Sequence, residues 1–117
     1  MILAIIEHDR GLISPYSLQL LTYAHELAKG DSTNVKAVVI GNNVQVLTSE
    51  LRKYSSDGII IIEDERLENF NGEAWAGSII QLAESKEPSI IMAAATDKGN
   101  EVLAHVGARL DLPMSAY

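Results

Sequence analysis

Apolar positions along this chain follow two rhythms that take turns. Ile2–Ile6 is an unbroken apolar run, the pattern of a strand covered on both faces. Ser14-Pro15 then offers an N-cap and a first-turn proline. Leu18, Leu21, Ala24 and Ala28 follow at helical spacing, Leu20 and Leu27 widen the stripe, and Gly30 stands where a helix commonly ends. Val35–Ile40 reads as a second strand, closed by Gly41-Asn42-Asn43. Val44, Leu47, Leu51 and Tyr54 mark a second helix, and Gly58 leads into a third strand, Ile59–Ile62. An acidic connector, Glu63–Glu68, precedes Phe70 and Asn71-Gly72. The spacing then predicts a helix over Glu73–Glu84 that buries Ala76, Ile80 and Ala83, with Trp75 and Ile79 alongside. Pro88 introduces a fourth strand, Ser89–Ala94, and a last helix carries Leu103, Val106 and Leu110 on one face. Leu112-Pro113 ends that helix, and a fifth strand begins near Met114–Tyr117.

Strands that alternate this regularly with helices predict an α/β protein, a parallel doubly wound sheet with right-handed crossovers. Such a sheet has helices on both faces, a three-layer α/β/α sandwich of Rossmann-like type. No internal repeat, low-complexity tract or linker interrupts the pattern.

Composition narrows the function classes. A chain of 117 residues is long enough for one core and too short for two. Hydrophobic content of 47% excludes a disordered tail. The net charge of -7, with basic residues scattered, argues against nucleic acid or an anionic membrane surface as partner. Without cysteine there is no disulfide framework, thiol redox chemistry or Fe–S ligation. Met1-Ile2-Leu3-Ala4 lacks the basic start of a signal peptide. No apolar run approaches the roughly 18–20 residues that cross a bilayer. A cytoplasmic protein with no membrane insertion is the expectation.

The last quarter of the chain carries the most specific signal. The strand Ile90–Ala94 empties into a polar loop with Ala95-Thr96, Asp97-Lys98, Gly99-Asn100 and Glu101, then a helix ending Ala108-Arg109-Leu110. The opening reads Ile5-Ile6-Glu7-His8-Asp9, then Gly11. In this order and spacing the chain resembles the N-terminal domain of the electron-transfer flavoprotein alpha subunit. That family has an Ala-Thr-x-x-Gly-x-(Asp/Glu) turn and a Glu-His-(Asp/Asn) turn after the first strand. It usually has Ser and Arg in the later turn, where this sequence has Asp97 and Asn100.

The resemblance implies strand order 3-2-1-4-5, as in the adenine nucleotide alpha hydrolase-like folds, and residues 1–117 as one alpha-type domain without the FAD-binding C-terminal domain. It implies a beta subunit as partner, FAD held in a separate alpha domain rather than in this chain, and electrons drawn from flavin dehydrogenases. This portion would be a non-catalytic scaffold and subunit-contact domain. Self-association is the other expectation, because an incomplete edge strand invites pairing. The alternative reading is an independent adenine-nucleotide-binding module of universal-stress-protein type, holding AMP or ATP.

Both readings point to one crevice, since ligands of open α/β sheets bind where the winding reverses. Its candidate cofactor-binding residues are Glu7, His8, Thr96, Lys98, Gly99 and Asn100. Backbone N–H groups at the start of the last helix, with Thr96 and Lys98, suit a phosphate. Glu7, Asp9, Asp97 and Glu101 oppose one. A single Gly99 also falls short of the glycine-dense loops that phosphate cradles use.

His8-Asp9 at a strand end suits a general base or metal ligand acting in a small hydrolase. The pair lacks the third ligand of a zinc site and the nucleophile of a triad, so capping of the turn is the favoured role. No catalytic or metal-binding residue is assigned. His25 and His105 fall within helices without an i+4 partner, which suits solvated or interface positions. Trp75 is expected at the core edge or in a subunit contact rather than as a flavin platform. Glu63-Asp64-Glu65 reads as a solvated loop, its alternative being a docking patch for a basic partner.

Overall fold

A computed structural model describes residues 1–54 and 57–117. Its frame is a five-stranded parallel sheet built from β1 (Ile2–Ile6), β4 (Val35–Gly41), β5 (Ile59–Glu63), β6 (Ile90–Ala93) and β7 (Met114–Ala116). Across the sheet they run β5-β4-β1-β6-β7, which is the order 3-2-1-4-5 counted among these strands. Ile2 stands beside Val35 on one side and Ile90 on the other, so β1 is the central strand. Every residue of β1 is buried.

The two-residue period of the strands builds both halves of the core at once. Ile2, Ala4 and Ile6 join a cluster with Leu20, Leu21 and Ala24 of α1 (Pro15–Gly30) and with Val44, Leu47 and Leu51. Leu3 and Ile5 join the opposite cluster, with Trp75, Ala76 and Ile79 of α3 (Gly72–Lys86) and Val102, Leu103 and Val106 of α4 (Asp97–Gly107). Three layers result, α1 and the short α2 (Thr48–Leu51) on one face, α3 and α4 on the other. The chain thus has the three-layer architecture that its sequence pattern predicts.

Several boundaries differ from the sequence expectation. Gly30 is inside α1, and the left-handed residue after the helix is Ser32, at φ +52°. The second helix splits into a 3-10 turn, Val44–Leu47, followed by α2, and Tyr54 lies outside both and is exposed. Neither piece has a side-chain cap at its start, and β-branched Val44 and Val46 weaken the first turn. In α3 the fully buried stripe is Trp75, Ala76, Ile79 and Ala83, while Ile80 is half-buried. Glu87, at φ +50°, closes that helix just before Pro88. α4 stops at Gly107, so Leu110 packs against the core from a turn, its N–H on the Val106 carbonyl.

One element has no counterpart in the sequence reading. β2 (His8–Asp9) and β3 (Leu12–Ile13) form an antiparallel hairpin at the carboxyl end of β1. Arg10 and Gly11, at φ +53° and +77°, make its two-residue turn, the pair of positive φ values that a tight hairpin requires. Ser14 N–H donates to the Glu7 carbonyl at 2.9 Å and closes the base of the hairpin. This hairpin hangs over the place where the winding of the sheet reverses, between β1 and β6.

Candidate functional site

The reversal point lies between the carboxyl ends of β1 and β6, and hydrogen bonds within the chain join its two sides. Glu7 leaves β1 with its N–H donating to the Ser17 hydroxyl at 2.8 Å. Ser17 is fully buried in the first turn of α1, so the backbone of Glu7 is fixed from below. Thr96 ends the loop after β6 and is the N-cap of α4. Its hydroxyl accepts from Gly99 N–H at 3.0 Å and donates to the Glu7 carboxylate at 2.8 Å. Asn100 N–H donates to the Thr96 carbonyl at 2.8 Å, the first bond of the helix proper.

That chain of bonds alters what the helix start can do. A helix N-terminus attracts an anion through its unpaired N–H groups and its dipole. Here the Thr96 hydroxyl has taken the Gly99 N–H, and the carboxylate of Glu7 supplies the negative charge from within the chain. Packing by itself requires a glycine at position 99. A Cβ at this position would lie 1.9 Å from the Ala94 carbonyl oxygen, so only glycine lets α4 approach the end of β6 so closely.

The structure gathers Glu7, His8, Thr96, Lys98 and Gly99 around the crevice, and Asn100 sits beside it without lining either large groove. On the hairpin side is an open, mainly apolar groove of about 630 Å³, walled by Leu12, Ile13 and Pro15 with Glu7, Asp97 and Lys98 at its rim. On the β4 side is a more polar cleft of about 430 Å³, between the hairpin, Asn42-Asn43 and residues 67–70. The Lys98 ammonium lies 5.2 Å from the centre of the Phe70 ring, a cation–π contact that shares its charge with an aromatic face.

His8 plays a different part from the turn cap that the sequence suggests. Its Nε2–H donates to the Ile40 carbonyl at 2.7 Å, and its ring stacks on Trp75 with centroids 5.7 Å apart. It therefore ties the hairpin to the end of β4. Gly41 makes room for the ring, since a Cβ there would come within 3.0 Å of His8 Cε1. Trp75 is core rather than core edge: it is 4% exposed, with Phe70 edge-on at 5.1 Å. Its Nε1 has no hydrogen-bond partner among the described residues.

The other two histidines also have surroundings of their own. His25 is half-buried with Nδ1 3.6 Å from the Asp57 carboxylate, and that carboxylate accepts from Val35 N–H. It is a structural pair between α1 and the start of β5, where the sequence suggested a solvated or interface residue. His105 lines a shallow depression with Phe70, Asn71 and Glu101. In the acidic connector, Asp64 holds Arg66 through both carboxylate oxygens, at 3.0 and 2.7 Å. The Arg66 guanidinium lowers the Asp64 pKa to about 2. Among the described residues no cluster of His, Asp and Glu is arranged to hold a metal. No helix among them is long and apolar enough to cross a membrane.

Ser17 and Gly41 are the contributors that sequence reasoning missed. Ser17 had a signal, a lone hydroxyl on the helical face shared with Leu20, Leu21 and Ala24. Gly41 had only a glycine at a strand end. The residues of this crevice do not fit the phosphates of the flavin that the family resemblance implies. A pyrophosphate brought to the start of α4 would meet the Glu7 carboxylate already hydrogen-bonded there.

Comparison with known proteins gives a consistent picture. The universal stress protein of Archaeoglobus fulgidus has a similar fold, with a TM-score of 0.66 at 15% identity over 98% of this chain and 96% of that one. The electron transfer flavoprotein subunit alpha of Thermoanaerobacterium thermosaccharolyticum is 29% identical over 94% of this chain. The lactate dehydrogenase (NAD(+),ferredoxin) subunit LctC of Acetobacterium woodii is 30% identical over 95% of it. The aligned part is 33% of the first relative and 27% of the second, so the chain spans about a third or less of their lengths. The profile of the electron transfer flavoprotein domain matches residues 2–117, from the first buried strand to the last residue, and the chain belongs to that family.

Proposed function

We propose that this chain serves as the N-terminal domain of an electron-transfer-flavoprotein alpha-type subunit. It contacts a beta subunit and supports a separate FAD-bearing domain, while electrons pass from flavin dehydrogenases through that flavin. The domain itself makes and breaks no bonds. Relatives named as electron transfer flavoprotein alpha subunits support the placement, and they are about three times as long as the part aligned here. The observation that carries the scaffold role is the Glu7–Thr96–Gly99 chain of hydrogen bonds. It gives the start of α4 an internal carboxylate partner where related folds would offer N–H groups to a phosphate.

The test uses the chain as it stands. Purified protein is titrated with FAD and, separately, with AMP to millimolar concentration while backbone amide resonances are followed. Gly99 and Asn100 amides are expected to stay in place, with no flavin absorbance retained after gel filtration. Co-expression with a beta subunit from the same source is expected to yield a complex. Saturable movement of the Gly99 amide with AMP would replace the scaffold reading by the adenine-nucleotide one. A stoichiometric flavin spectrum would overturn it outright.

A further inference from the structure

β5 is the last strand on its side of the sheet, and its sequence does nothing to discourage another strand from joining. Ile59-Ile60-Ile61-Ile62 is four isoleucines in a row, with no proline, lysine or bulge among them. Edge strands usually carry such devices because their outer backbone groups are open to pairing. No residue of β5 is buried, in contrast to β1, and Ile61 is 37% exposed.

The hydrogen bonds show which groups face outward. The Gly58 carbonyl accepts from Ala37 N–H, and Asp64 N–H donates to the Gly41 carbonyl, both toward β4. Alternation along the strand then turns the N–H and C=O groups of Ile59, Ile61 and Glu63 away from β4, where the sheet has no further strand among the described residues. These residues are spaced evenly about Ile61. A two-fold axis through that point would set Ile61 against Ile61 of a second copy and Ile59 against Glu63. Each such pair exchanges two backbone hydrogen bonds in an antiparallel ladder.

Charge favours the same arrangement. Arg52 and Lys53, both exposed, follow α2 where the chain turns back from the carboxyl end of β4 toward the start of β5. The other end of β5 runs into Glu63, Asp64 and Glu65. The acid near the basic end, Asp57, faces inward, accepting from Val35 N–H with His25 Nδ1 3.6 Å away. The base near the acidic end, Arg66, is taken up by Asp64. Antiparallel pairing thus lays a basic end against an acidic end twice over, whereas parallel addition would set like against like.

We propose that the partner of the β5 edge is a second copy of this chain, paired antiparallel about Ile61 to give one continuous sheet across the dimer. Five residues per copy bury less than the roughly 1,200 Å² of the smallest stable interfaces. The dimer is therefore weak and concentration-dependent, forming over about 10–500 micromolar.

Sedimentation equilibrium of the purified chain over that range tests this. Ile61→Pro removes one outward N–H and no bond to β4, so it is expected to weaken dimerisation at least about tenfold while the far-UV spectrum is unchanged. A second test does not depend on that variant folding. Glu63→Lys with Glu65→Lys makes both ends basic, and Arg52→Glu with Lys53→Glu makes both ends acidic. Each double variant alone should be monomeric, and an equal mixture should form a heterodimer within about threefold of the parent affinity. A monomeric parent at every concentration, a dimer indifferent to these changes, or a mixture no tighter than its components would each overturn the proposal.

Discussion

Replacing Thr96 by Ala should cost this domain more than the loss of a helix cap, because the same hydroxyl holds Glu7. The cap alone, the bond from Gly99 N–H at 3.0 Å, contributes about 1 kcal/mol. The hydroxyl also donates to the half-buried Glu7 carboxylate at 2.8 Å. Losing a charge-assisted bond of that kind costs a further ~1–2 kcal/mol. The sum, about 2–3 kcal/mol, corresponds to a fall in Tm of about 8–12 °C for a domain of this size. Thr96→Ser keeps the hydroxyl and should lose less than about 1 kcal/mol. Glu7→Gln keeps an acceptor but removes the charge facing the helix dipole, worth ~0.5–1 kcal/mol. Urea denaturation of the four proteins in the Glu7→Gln and Thr96→Ala cycle measures the coupling directly. The double variant should be about 1 kcal/mol more stable than the sum of the single effects implies. Strict additivity, or a Thr96→Ala loss under about 0.5 kcal/mol, would refute the claim that the two residues work as a unit.

Two glycines give opposite expectations for the same substitution. Gly99→Ala would force a Cβ to 1.9 Å from the Ala94 carbonyl oxygen, and the shift of α4 should cost over about 3 kcal/mol in urea denaturation. Gly77→Ala, inside α3 with nothing within 4 Å of the added carbon, should stabilise by ~0.5–1 kcal/mol. On the surface, Asp64 should titrate in a carboxyl NMR experiment at about 2, and Arg66→Ala should return it toward 3.8. Because the folded pKa is the lower one, this pair favours the folded state above the ordinary carboxylate range and loses that effect as pH falls toward 2. An unmoved Asp64 midpoint in the Arg66 variant would show that the guanidinium is not the cause.

The sheet was legible because its inner strands are written as continuous apolar runs, a pattern that only burial on both faces explains. Ile2–Ile6 and Val35–Ile40 needed no tertiary information. Where local signals were weak, the reading missed. Val44–Leu51 has the apolar spacing of one helix, yet without a capping side chain it forms two short pieces. The hairpin from His8 to Ile13 has only two residues per strand, and its turn puts Arg10 at positive φ. Nothing in an arginine announces that conformation. The crevice residues were found by position in the fold, but their connection was not. Thr96 and Glu7 are 89 residues apart in the chain, and neither residue's type reveals the other as its partner. The same is true of His8 and the Ile40 carbonyl, which meet because β1 and β4 are neighbours.

A carboxylate at the reversal point has consequences beyond that one hydrogen bond. In a fold whose crevice waits for a phosphate, part of the native state's stability is linked to the ligand, because binding completes the helix start. Here the Thr96 hydroxyl caps the Gly99 N–H and is held by Glu7, whose own N–H is fixed by Ser17, which is fully buried. The start of α4, the end of β1 and the first turn of α1 are thereby joined into one unit by hydrogen bonds within the chain. Such a unit is suited to holding neighbouring protein in register, since its geometry does not change with the concentration of a small molecule. Several apolar side chains are exposed elsewhere on the domain. Leu12 belongs to the hairpin, Tyr16 follows it in α1, and Tyr23 stacks on Tyr117 at 4.4 Å. Ile61 lies at the opposite edge of the sheet. On the scaffold reading proposed above, side chains such as these are where neighbouring protein would be met.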